Sequence, residues 1–121
     1  MEQESSRTRR VGEQIQRELA QLIQFEVKDP RVQWVTISAV KVTRDFSHAT
    51  VYFTVLGKDA DSVDASVEAG LYKAAGFLRK ELAHRIKLRT VPQLHFKYDD
   101  STERGNKLVH LIDQAIASDK K

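Results

Sequence analysis

Apolar residues at Val11, Ile15, Leu19, Leu22, Ile23 and Val27 recur at helical spacing, which places their side chains along one face of a helix. They predict a first helix from about Thr8 to about Lys28. Asp29-Pro30 ends it, because proline disfavours a helical residue before it and brings no backbone donor. From Trp34 the period changes to two. Val35, Ile37 and Ala39 alternate with Trp34, Thr36 and Ser38, and then the parity slips so that Val40 and Val42 are apolar. A slip of one residue predicts a β-bulge, since a plain strand would turn its apolar side to water. Asp45-Phe46-Ser47 reads as a turn. Ala49, Val51, Phe53 and Val55 alternate with Thr50, Tyr52 and Thr54 in a second strand, closed by Gly57, and the two runs predict a hairpin.

Helical spacing returns at Val63, Val67, Leu71, Ala74, Leu78, Leu82 and Ile86, with Asp61 or Ser62 as the expected cap. Gly76 lies inside this pattern, where glycine costs about 1 kcal/mol relative to alanine. It is either a tolerated glycine at a close contact or a kink that divides one helix into two. Pro92 leads into a third strand, in which Leu94, Phe96 and Tyr98 alternate with His95 and Lys97. Asp100 and Glu103 have capping-box spacing ahead of a last amphipathic helix with Leu108, Val109, Leu111, Ile112 and Ile116. The order is α-β-β-α-(kink)-α-β-α. It predicts one α+β domain over residues 1–121, with helices on one face of a small sheet and flexible tails at 1–6 and 118–121. A helical crossover between strands two and three suits a partly parallel sheet.

Composition narrows the class. A chain of 121 residues, 40% of them apolar, buries a real core without staples. It has no cysteine, which excludes disulfides and thiolate metal sites and fits a reducing compartment. The polar opening from Met1 to Arg10 does not resemble a cleavable signal, and no stretch approaches the roughly 20 apolar residues of a membrane span. The expectation is a cytoplasmic protein with no membrane partner. Net charge is only +3, but residues 71–98 carry seven basic side chains and one acidic, a net +6. Such asymmetry is the footprint of a polyanion-binding surface, set against a merely solvated basic helix face.

The helical period locates that charge. Leu71, Ala75, Leu78, Leu82 and Ile86 fall within about 80° of one another at 100° per residue. Lys73, Lys80, His84 and Lys87 fall on the opposite side, Arg79 and Arg85 flank the apolar stripe, and Arg89 follows. Cations at this density suit phosphate oxygens. Arg7, Arg9 and Arg10 form a second cluster, offset by Glu2, Glu4 and Glu13. Trp34, Phe46, Tyr52 and Phe77 could stack bases, but packing or partial exposure accounts for each of the first three. Phe77 leaves the apolar stripe beside the basic row and is the candidate for stacking. The four histidines are scattered in sequence and no His-Glu-x-x-His run exists, so no metal site or cofactor is expected. Asp99-Asp100 reads as a helix start rather than an acid/base pair. No nucleophile turn or phosphate loop is visible, which speaks against an enzyme.

Several fragments carry a family resemblance: Arg9-Arg10-Val11-Gly12-Glu13-Gln14-Ile15-Gln16-Arg17-Glu18-Leu19, Asp29-Pro30-Arg31-Val32, Val35-Thr36-Ile37-Ser38, His48-Ala49-Thr50-Val51-Tyr52-Phe53, Ala74-Ala75-Gly76-Phe77-Leu78-Arg79, Val91-Pro92-Gln93-Leu94-His95-Phe96 and Asp99-Asp100-Ser101. In this order and spacing, from about Arg9 to about Ile116, the chain resembles bacterial ribosome-binding factor A. The resemblance implies a type II KH fold, with Ala74-Ala75-Gly76 as the interhelical kink in place of the Gly-x-x-Gly loop that clamps single strands in ordinary KH domains. It also implies a monomeric, non-catalytic factor that binds free 30S subunits, assists late 16S rRNA maturation, matters most in the cold and is released by a ribosome-associated GTPase. The competing expectation is a protein-interaction module whose basic surface serves solubility.

Overall fold

The structure, a computed structural model, describes residues 5–102. Helix α1 spans Ser6–Phe25 and is followed by a short 3-10 turn at Pro30–Val32. Strands β1 (Val35–Val42) and β2 (His48–Val55) come next, then helix α2 (Ala65–Arg85) and strand β3 (Gln93–Tyr98). The sheet order is β1-β2-β3, with β1 antiparallel and β3 parallel to β2. Helix α1 packs on β1, α2 packs on β3, and the helices touch each other, so the expected α+β arrangement with a partly parallel sheet is what forms. The C-terminal amphipathic stretch lies outside the described residues. No helix among those described is long and apolar enough to cross a membrane.

Local chemistry fixes the helix ends. Ser5 caps α1 by accepting from Thr8 N, and Asp64 caps α2 by accepting from Ser66 N at 2.9 Å, each satisfying an amide that the helix leaves without a partner. Helix α1 ends three residues before the expected Lys28, where Val27 N turns back to Leu22 O. Ser5 and Ser6, expected in a frayed tail, are the cap and first residue of α1. Asp61 and Ser62, the expected caps of α2, instead belong to a turn built on Asp59, whose Oδ1 accepts from Asp61 N and Ser62 N.

The junction expected at Ala74-Ala75-Gly76 does not divide two helices. Helix α2 runs through it unbroken, and the flanking residues are good enough helix formers to carry one glycine. Nor is Gly76 a close contact: a Cβ built there meets no atom within 4 Å. The close contacts are at Gly12, where a Cβ would lie 2.6 Å from Val40 O, and at Gly70, packed on Val32 and Arg31. Gly12 therefore lets α1 settle directly on the β1 backbone.

The core lies between the sheet and the two helices. Ile15, Leu19 and Leu22 of α1, Val51 and Phe53 of β2, and Leu71, Leu78 and Leu82 of α2 are almost wholly excluded from solvent. Burying side chains of this size contributes roughly 1.5–3 kcal/mol each. The parity slip in β1 is a bulge between Ile37 and Ala39. Gln16 reaches across from α1 and donates its side-chain amide to the Ile37 and Ser38 carbonyls at 3.4 and 3.1 Å. On the far edge, Phe96 N donates to the Tyr72 hydroxyl at 3.0 Å, which occupies a ladder amide that β3 would otherwise expose.

Candidate nucleic-acid interface

Helix α2 buries Val67, Leu71, Leu78 and Leu82 and turns the opposite face to solvent. Lys73, Lys80 and His84 are exposed along that face, and between them stand exposed Gly76 and Phe77, the latter 42% accessible. Of the two acids of α2, helical periodicity sets Glu68 away from this row, while Glu81 borders it three residues before His84. Lys87 does not ride on the helix, because α2 ends at Arg85 and Ile86 leaves it in extended geometry. It belongs with Arg89 to the connection into β3, and both are exposed.

Two further cations of α2 already have partners within the fold. Arg79 is half-buried and donates through Nε to Pro92 O at 3.1 Å and through Nη2 to Val91 O at 3.0 Å. It ties α2 to the entry of β3. Arg85 pairs with Glu18 at 3.2 Å and so joins α2 to α1. Exposed pairs of this kind contribute about 0–1 kcal/mol. The free row is therefore Lys73, Lys80 and His84, continued by Lys87 and Arg89.

The fold joins this row to the other basic cluster. Arg7, at the start of α1, meets Lys87 and Arg89 around a cleft of about 550 Å3 whose walls include Phe46, Leu88, Thr90 and Asp45. The Arg7 guanidinium carbon lies 5.1 Å from the centre of the Phe46 ring, a cation–π contact. Asp45 Oδ1 accepts from Thr43 Oγ1 at 2.8 Å, Ser47 Oγ at 2.7 Å and Ser47 N at 3.1 Å. The Ser47 hydroxyl first, then Thr43 and the Ser47 amide, hold its carboxyl down at about 2. Arg9 and Arg10 are exposed but do not line the cleft. Phe46, read from sequence as a turn residue accounted for by packing, thus stands among the cations. Its place in a three-residue turn was legible, but its meeting with Arg7 depends on α1 crossing the hairpin end.

Beside the middle of α2, Lys73, Ala74 and Phe77 border a second cleft of about 480 Å3 with Val27, Asp29 and Pro30. Arg31 grips Asp29 there, with Nη2 to Oδ2 at 2.7 Å and Nε to both carboxylate oxygens. That pairing, with the Arg31 amide next and Lys73 a smaller contributor, lowers the Asp29 carboxyl to about 2. The histidines are less scattered than the sequence suggests. Parallel pairing of β2 with β3 sets His48 Nδ1 2.9 Å from His95 Nε2. Among the described residues, no three His, Asp or Glu side chains converge in a way that would hold a metal ion.

An α+β sheet with helices on one face and a parallel β2-β3 pair joined by the α2 crossover define a KH-like domain. A profile of the family described as ribosome-binding factor A matches residues 7–112, and this chain belongs to that family. It is 57% identical over 120 residues to ribosome-binding factor A of Thioalkalivibrio sulfidiphilus, spanning 99% of this chain and 92% of the relative. Against the Pseudomonas fluorescens SBW25 protein it is also 57% identical, over 98% of this chain and 91% of the relative. The crystal structure of ribosome-binding factor A from Thermus thermophilus superposes with a TM-score of 0.66 at 28% identity, covering 75% of this chain and 94% of that one. A Thermus thermophilus ribosome-binding factor A fitted into an electron-microscopy map of its 30S complex gives 0.58 at 30% identity, covering 71% and 88%.

Proposed function

We propose that this chain is a non-catalytic, cytoplasmic assembly factor that binds free 30S subunits as a monomer. It promotes late maturation of their 16S rRNA, most critically in the cold, and leaves when a ribosome-associated GTPase acts. The 30S complex of the Thermus thermophilus relative supports the partner. The observation that carries the RNA contact is the exposed cationic path from Lys73 through Lys80 and His84 to Lys87 and Arg89, with Arg7 beside its end. Lysine and arginine on a convex helix face suit the backbone of folded RNA, where each contact releases counterions, better than they suit a single-strand clamp. Phe77 stands in the same face and offers a ring to an unstacked base.

The test is co-sedimentation with free small subunits. Charge reversal at both Lys80 and Lys87 lowers affinity at least about tenfold if these side chains meet phosphates, a loss of roughly 1.4 kcal/mol. Unchanged binding by Lys80→Glu/Lys87→Glu would reject this surface. A protein-docking reading draws on Trp34 and Leu56, 56% and 72% exposed and joined by the Leu56 N to Trp34 O bond. It requires a stable protein partner that survives RNase treatment and no affinity for ribosomal particles.

A further inference from the structure

The cleft between the α1 start, the hairpin turn and the α2-β3 connection has features that a phosphate-binding face does not need. Backbone contact calls for cations alone. Here cations surround an aromatic ring and an aliphatic wall. Arg7, Lys87 and Arg89 line the cleft, and none of them forms an ion pair among the described residues. The one acid, Asp45, turns its Oδ1 to the hydroxyls and amide of its own turn. Phe46 and Leu88 supply apolar surface.

Phe46 also holds a backbone conformation that phenylalanine rarely adopts. Its φ is 59°, and it is the one described residue other than glycine with positive φ. Asn or Gly would hold this conformation with less strain, and strained positions of this kind cluster at ligand sites. Core packing accounts for part of the ring. The remainder lies beneath the Arg7 guanidinium.

We infer that this cleft receives one unpaired ribonucleotide, its base against the Arg7–Phe46 stack and its phosphate on Lys87 and Arg89. The inference rests on the RNA-binding reading and names the element recognised. A volume of about 550 Å3 lies within the roughly 300–1,000 Å3 of small-ligand sites, room enough for one nucleotide. Sequence-tolerant stacking on aromatic and guanidinium planes is how proteins hold bases splayed from folded RNA. The helix face then grips the paired backbone while the cleft takes a bulged or terminal base beside it.

The experiment uses the full chain and two fluorescein-labelled RNA hairpins that share one stem. One is fully paired and the other carries a single bulged 2-aminopurine nucleotide. Anisotropy at fixed salt is expected to show the bulged hairpin bound about tenfold more tightly, the lower part of what one stacked base contributes, with quenching of the 2-aminopurine. Arg7→Ala and Arg89→Ala, both at exposed positions, are expected to reduce that preference more than they reduce binding of the paired hairpin. Lys80→Glu is expected to weaken both RNAs alike. Equal affinity of the native chain for the two hairpins overturns the inference and leaves the RNA-binding reading standing. So does an equal loss on both RNAs with Arg7→Ala and Arg89→Ala, the pattern of a structural staple. Failure to bind either hairpin or free small subunits removes both readings.

Discussion

A methyl group added at Gly12 would meet the Val40 carbonyl oxygen at 2.6 Å, and a backbone atom in a paired strand cannot step aside. Gly12→Ala is therefore expected to lift α1 from β1 and cost about 2 kcal/mol, as overpacking typically does; urea unfolding would show a lower midpoint at unchanged slope. Gly76 has the opposite surroundings. It sits in the middle of α2, is exposed, and has open space where a Cβ would go. Gly76→Ala is expected to raise stability by about 0.5–1 kcal/mol, since alanine gives up less chain entropy in a helix. If RNA lies close to this turn of the cationic row, the same methyl weakens RNA binding. A protein that gains stability and keeps its full affinity would place the RNA away from Gly76.

The connection between α2 and β3 depends on one side chain. Arg79→Met removes the donors to the Val91 and Pro92 carbonyls, and unsatisfied, part-buried carbonyls cost about 1–3 kcal/mol. Hydrogen exchange is expected to quicken across residues 86–93, the segment that carries Lys87 and Arg89, ahead of β1 and β2. The hairpin turn has a pH signature. The Asp45 carboxyl is held at about 2 against an ordinary 3.8 by donors from Ser47 and Thr43, so its charged form is favoured in the fold. Its contribution is complete above about pH 4 and lost as pH falls through 2. Asp45→Asn is expected to flatten that part of the stability profile, and an identical acid transition in the variant would count against the turn's role. Elements of this kind were largely legible in the chain. Alternation and a parity slip gave β1, its bulge and β2, because one-sided burial leaves a period-two trace. Ala74-Ala75-Gly76 misled because glycine signals a kink and a solvent-facing helix position equally. Arg79 and Arg85 were legible as cations, but their carbonyl and carboxylate partners lie 12 to 67 residues away, and no local pattern encodes such contacts. The meeting of Phe46 with Arg7 escaped for the same reason.

At the scale of the whole molecule, the modest net charge of +3 understates what a polyanion meets. Lys73 and Lys80 are exposed on α2, and Lys87, Arg89 and Arg7 are exposed around the cleft beyond its end, while Arg79 is turned to backbone carbonyls and exposed Arg85 is paired with Glu18. If each of the five free cations neutralises one phosphate, the logarithm of the binding constant falls with that of salt with a slope of about −4, at roughly 0.7–0.9 per contact. Raising salt from about 50 to 200 mM then weakens binding by roughly two orders of magnitude. Lys80→Glu/Lys87→Glu removes two of those contacts, so its slope becomes shallower by at least about 1.5. Arg79→Met leaves the slope unchanged even where it lowers stability, because that guanidinium is already spent on carbonyls. In the cleft, the stacked base adds affinity with little salt dependence, while its phosphate on Lys87 and Arg89 adds counterion release. The salt line for the bulged hairpin is therefore expected to lie above the paired one and to be the steeper of the two. A bulged-RNA line parallel to the paired one would take the nucleotide's phosphate off Lys87 and Arg89, and a double variant with the native slope would move the phosphates off Lys80 and Lys87.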